Sequence, residues 1–155
     1  MTDSRRRLVL VLAAAAVSAA VVVPLAAASP PQPSSGSGTS TPPVVTSVRQ
    51  ADGNTILEFT NHGAVTGTFT GTFVQTGRMV VHSDGSTETT SLVVFTGTAD
   101  GCGTGSASFR FVGNDGTGHV ESIDNADNTA NVHSNADLVL LPNGTFTYSG
   151  TYHCG

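Results

Sequence analysis

The chain has 155 residues, six arginines, no lysine and eleven acidic residues, for a formal charge of −5. An anionic surface with no basic cluster beyond the N-terminus repels nucleic acid and anionic lipid, and this excludes basic-patch recognition of either. The length supports one hydrophobic core and not two comfortable domains.

Arg5, Arg6 and Arg7 precede Leu8 to Ala28, a run with no charged residue that ends with Ala26 and Ala28 in the spacing signal peptidase needs. This three-part build predicts a secretory signal peptide over residues 1–28, cut after Ala28, with the positive block left cytoplasmic. An uncleaved anchor is the alternative, because about 20 apolar residues span the hydrocarbon layer. Ser4 to Val9 also resembles a twin-arginine export signal. The expected location is therefore secreted or cell-surface, with membrane contact only through a retained leader. Cleavage would leave Arg49, Arg78 and Arg110 against ten acidic residues, a formal charge of −7.

Residues 29–43 read SPPQPSSGSGTSTPP and carry no side chain suited to a core. They are expected to form a disordered Pro/Ser/Gly-rich linker, stiffer at its proline ends. The folded unit is then residues 44–155. Proline is absent from Val44 to Leu141, and Thr, Val, Phe and Gly dominate. Residues branched at Cβ favour strands, and repeated glycines argue against long helices.

Asp52-Gly53, His62-Gly63, Asp84-Gly85, Asp100-Gly101, Asp115-Gly116 and Asn143-Gly144 punctuate this region as hairpin turns. They delimit strands near 44–51, 54–61, 64–76, 78–83, 87–99, 104–112, 117–124, 130–141 and 145–153. Val65, Gly67, Phe69, Gly71 and Phe73 fall on one face of the third strand, with threonines on the other. Glycine beside large rings permits strong curvature. The fold class is all-β, a small antiparallel barrel of about eight strands, with a β-sandwich as the alternative. Residues 113–137 are the most polar part of the domain. Their Asp- and Asn-rich stretch lacks the spacing of a calcium loop and reads as solvated.

Cys102 and Cys154 are the only cysteines, and in an exported chain they predict one disulfide. His62, His82, His119, His133 and His153 show no metal-ligand spacing, so no metal or other cofactor is expected. No G-x-S-x-G elbow or phosphate-cradling loop is present. Among carboxylates, Glu58 alternates with Leu57 and Phe59. Glu121 shares strand parity with His119, and these two form the one local acid–base arrangement.

Gly67-Thr68-Phe69-Thr70-Gly71, followed by Phe95-Thr96-Gly97 through Gly101, Gly105 and Phe109, resembles the allene oxide cyclase-like barrel superfamily. In particular it resembles the short, uncharacterised bacterial members of that superfamily. Gly144 to Tyr152 is similar to the closing strand of such barrels. The resemblance covers about 90 residues and implies an eight-stranded barrel with a cavity. Superfamily members include a fatty-acid-derived epoxide cyclase and dirigent proteins, but no catalytic residue of theirs maps onto this chain by motif.

Two functions follow. The first is a non-enzymatic structural or interaction protein, its barrel filled by its own rings. The second is a binder of a small apolar molecule, with or without cyclase- or isomerase-like chemistry, so enzyme status stays open. Phe69, Phe73, Phe109, Phe111, Phe146, Tyr148 and Tyr152 are the residues expected to line the interior in either case.

Overall fold

A computed structural model describes residues 29–155. The expected signal peptide lies outside the described residues. Nine strands make up the domain: β1 (Gln32–Ser40), β2 (Val44–Ala51), β3 (Asn54–Gly67), β4 (Phe69–Val81), β5 (Thr87–Ala99), β6 (Gly103–Asn114), β7 (Thr117–Ile123), β8 (Val132–Leu140) and β9 (Thr145–Cys154). They form one antiparallel sheet in the order β1-β9-β8-β7-β6-β5-β4-β3-β2, and β1 pairs in addition with β3. That pairing closes an eight-stranded barrel, as the sequence pattern predicts, and leaves β2 outside it.

Barrel size follows from register. Directly paired residues run from Ile56 through Val80, Glu88, Asn114, Thr117, Val139, Thr147 and Ser37 to Thr66, which is ten residues further along β3. With ordinary strand rise and spacing, this stagger tilts eight strands by about 40° to the barrel axis.

The linker expectation is overturned. Gln32–Ser40 is a barrel strand, paired to β9 from Gln32↔Tyr152 to Thr39↔Thr145 and to β3 from Gly36↔Gly67 to Ser40↔Gly63. The domain therefore begins before residue 44. The segment needs no apolar side chains because its neighbours supply them. Gly36 lies under the Tyr148 ring and Gly38 under the Phe146 ring, where a Cβ would collide with both ring and neighbouring backbone. Backbone pairing on two sides offsets the ordering entropy that the composition alone could not.

One turn assignment also changes. His62-Gly63 is not a turn, because β3 runs through it and Gly63 receives the Phe73 ring. The reversal comes at Gly67-Thr68 instead, so Val65 and Phe69 share the interior face from different strands. Thr68 is held there by its amide on the Ser35 carbonyl at 3.0 Å and by its own carbonyl, which accepts from Asp100 N at 3.0 Å. Asp52-Gly53 and Asp115-Gly116 do form the expected turns, with positive φ at both residues of each pair.

One end of the barrel is closed. Phe69 packs edge-on against Phe95 and Phe109, with ring centroids 5.8 and 6.1 Å away. Ala99, Ala107, Ala130 and Val132 are buried nearby. The polar loop between β7 and β8 crosses this end, where Asn128 bonds both backbone groups of Val132 and Ser106 N donates to Thr129 Oγ1. The expected disulfide joins Cys102, in the β5–β6 turn, to Cys154 at the end of β9.

The other end is open. The inner face of β2 continues past it as a lip, since Val48 is registered with Leu57, and Leu57 with Met79. A bulge between Val45 and Ser47 breaks the ladder of β2, and such irregularity discourages edge-to-edge pairing.

Two stability experiments follow from this fold. Gly36→Val should destabilise the domain by about 1–3 kcal/mol in a denaturant titration, while Ser37→Val, one residue along on the outer face, should cost far less. Reducing Cys102–Cys154, which spans 52 residues of sequence, should remove about 4 kcal/mol by the loop-closure relation. Unchanged denaturation midpoints on reduction would contradict this.

Candidate functional site

The barrel encloses a cavity of about 420 Å³ that opens at the β2 end. This differs from the filled interior that the count of rings suggested. Rings and glycines are paired across strands: Phe59 faces Gly77 and Phe73 faces Gly63. Phe111 lies over Gly113 and Gly118, Phe146 over Gly38, and Tyr148 over Gly36. The rings of Phe73, Phe111, Phe146 and Tyr148 lie back into the space beside glycines, so the wall is aromatic while the axis stays open.

Of the residues expected in the interior, Phe69, Phe73, Phe109, Phe111, Phe146 and Tyr148 lie on the cavity wall. Phe73 is only half-buried because one side of its ring faces the cavity. Tyr152 packs against Phe69 at 6.0 Å between centroids, at the closed end. Phe59 and Phe95 also belong to the wall, with aliphatic side chains such as Val93, Val120 and Leu138. Period-two alternation marks all of these as inward-facing. Which inward residues meet open space depends on barrel register.

The less foreseeable part is a polar stripe near the mouth. Asn61 and Gln75 are direct partners on β3 and β4, and both face the cavity. Asn61 is 7 % exposed, and its Oδ1 has no hydrogen-bond partner in the protein. Its Nδ2 donates to Ser40 Oγ at 3.4 Å, while the Ser40 hydroxyl donates to the Thr41 carbonyl at 3.2 Å. The Gln75 amide donates to Ser91 Oγ at 2.7 Å. Among the described residues, no Asp, Glu, His or Arg lines the cavity.

Glu58, His119 and Glu121 are all exposed on the outer surface. Glu58 stands opposite Arg78, and Glu121 opposite Arg110. His119 and Glu121 share a face, but the imidazole meets Asp137 on β8, with Nδ1 2.8 Å from Oδ1. This pair is open to solvent, where ion pairs contribute little. Among the described residues, no group of three or more His, Cys, Asp or Glu is placed to hold a metal.

Among the described residues, the one ionisable side chain on the wall is Tyr148. Its hydroxyl oxygen accepts from Phe69 N at 3.0 Å, tying β9 to the β3–β4 turn. Burial pushes its phenol above the usual value near 10 and outweighs the lowering effect of that amide. A raised value favours the neutral form in the folded state. The contribution is therefore complete below pH 10 and lost as pH rises through the folded value. Alkaline titration of the tyrosinate absorbance should show a late component that Tyr148→Phe removes. A titration unchanged by that substitution would refute the assignment.

No protein-family model matches the chain, and no curated protein matches it in sequence. What the fold itself supports is an eight-stranded antiparallel barrel, at the level of a barrel superfamily and no finer.

Proposed function

We propose that this is an exported protein that binds one small apolar molecule inside its barrel. The observation that carries the reading is the open-mouthed cavity of about 420 Å³ with a largely aromatic and aliphatic wall. That volume is within the usual range of small-molecule sites, and eight strands leave room for one such ligand. Export rests on the N-terminal leader pattern. Kinship with the small bacterial members of the allene oxide cyclase-like superfamily rests on the Gly67–Gly71 and Phe95–Phe109 patterns and is part of the same proposal.

Binding is favoured over cyclase or isomerase chemistry by the composition of the wall. Acid–base turnover needs a group that gives or takes a proton within reach of the ligand. Among the described residues, the wall offers no carboxylate or imidazole, and the Tyr148 hydroxyl accepts from the backbone.

Titration with an apolar fluorescent probe tests the reading. Saturable binding at one site per chain is expected. Val93→Phe places a ring in the cavity and should weaken binding about tenfold or more, with the fold retained by circular dichroism. Absence of saturable binding to the folded protein would refute the proposal.

A further inference from the structure

The strand left outside the barrel extends the cavity wall. We infer that β2 is the outer half of the ligand site. The occupant is an elongated apolar molecule, with one end in the chamber and the rest lying along Val45 and Val48. This inference rests on the apolar-ligand reading above and adds to it the length of the ligand and two residues that select for that length.

The bulge in β2 is the decisive feature. Residues three apart on a regular strand point to opposite faces. Here the ladder shifts between Val45 and Ser47, so Thr46 is the extra residue. Val45 then stands opposite Phe59, and Val48 opposite Leu57. Phe59 and Leu57 share the inner face of β3, and directly paired side chains point the same way. Both valines therefore face inward. Each ends a cross-strand row that runs into the chamber. One row continues from Val45 through Phe59, Gly77 and Ser91 to Phe111. The other continues from Val48 through Leu57 and Met79 to Thr89. Phe59, Phe111, Met79 and Thr89 line the cavity.

The outer ends of these rows are uncovered. Val45 is 46 % exposed and Val48 61 %. Among the described strands, β2 has β3 as its one partner. Single apolar side chains are ordinary on a surface, but two on one face, continuous with a cavity wall, extend the binding groove. The lane also has an end. At the next inward pair, the Gln50 amide donates to Thr55 Oγ1 at 2.9 Å. From the Phe59 row to that pair is four residues of strand, about 13 Å. A ligand confined to the chamber leaves this lane wet. A longer one covers it and places its far end in water beyond Gln50 and Thr55. The outer face of β2 has no such continuity, since Val44 stands opposite Thr60, whose hydroxyl bonds that of Thr76.

Displacement of a bound apolar fluorescent probe by straight-chain alcohols from octanol to hexadecanol tests the inference on the folded full chain. On the unsubstituted protein, affinity is expected to rise through the longest member, by about fourfold per buried methylene. Val45→Ser combined with Val48→Ser should leave octanol unchanged and weaken hexadecanol about tenfold. Both side chains are already exposed, so circular dichroism should show the fold retained. Val44→Ser, on the opposite face, should change neither alcohol. If the double variant binds every alcohol as the unsubstituted protein does, or weakens octanol and hexadecanol alike, the lip does not select ligand length. The inference is then wrong while the chamber site stands. Sedimentation that shows a dimer, dissociated by the double variant, would assign the valines to a second copy of the chain and would also overturn it. If the probe does not saturate and no alcohol binds, the apolar-ligand reading falls as well.

Discussion

Closure of the sheet by β1 is the constraint on which the other features depend. The strand pairs on one edge with β9 and on the other with β3, so it removes both free edges that an eight-stranded sheet would otherwise expose. Its fitness for this place comes from small residues. Gly36 and Gly38 lie directly opposite Tyr148 and Phe146, and a side chain at either would meet a ring and a backbone carbonyl together. With that strand seated, the tilt and diameter follow from strand number and stagger. The Tyr148 hydroxyl can then reach Phe69 N at the closed end.

The same pairing of ring with glycine sets the interior. In a barrel of this size, rings pointing straight at the axis would exclude any guest. Here the rings of Phe73, Phe111, Phe146 and Tyr148 spread over glycine backbone, and the apolar surface becomes a lining around an open volume. At the closed end the rings instead meet one another, with Phe69 edge-on to Phe95 and Phe109. One molecule thus holds a packed floor and an open upper chamber.

Much of the architecture was legible in the sequence. Alternation of Phe69, Gly71 and Phe73 with threonines places them inward, and Asp52-Gly53 and Asp115-Gly116 announce their turns through residues that tolerate positive φ. The failures have a common physical cause. Gln32–Ser40 looked like a tether because composition measures what a segment can bury, not what it can accommodate. Gly63 read as a turn because the same residue type that permits a reversal also makes room for a ring. The orphaned oxygen of Asn61 was invisible for a different reason. Its surroundings depend on Gln75, brought opposite it by the β3–β4 hairpin, and on Ser40, 21 positions before it, which only closure by β1 brings near.

Pairing between β1 and β9 also has a kinetic meaning. Gln32 is matched to Tyr152 and Thr39 to Thr145, so the contacts that close the barrel join the first described strand to the last. Such contacts carry the largest loop-closure cost in the chain and form late. A polypeptide emerging N-terminus first presents β1 before any residue of β9 exists, while β2 to β8 can assemble as a growing meander of hairpins. Until β9 arrives, that meander carries an open edge and an uncovered aromatic face, the features that promote association between partly folded chains. The species most exposed to aggregation is therefore the sheet one strand short of a barrel.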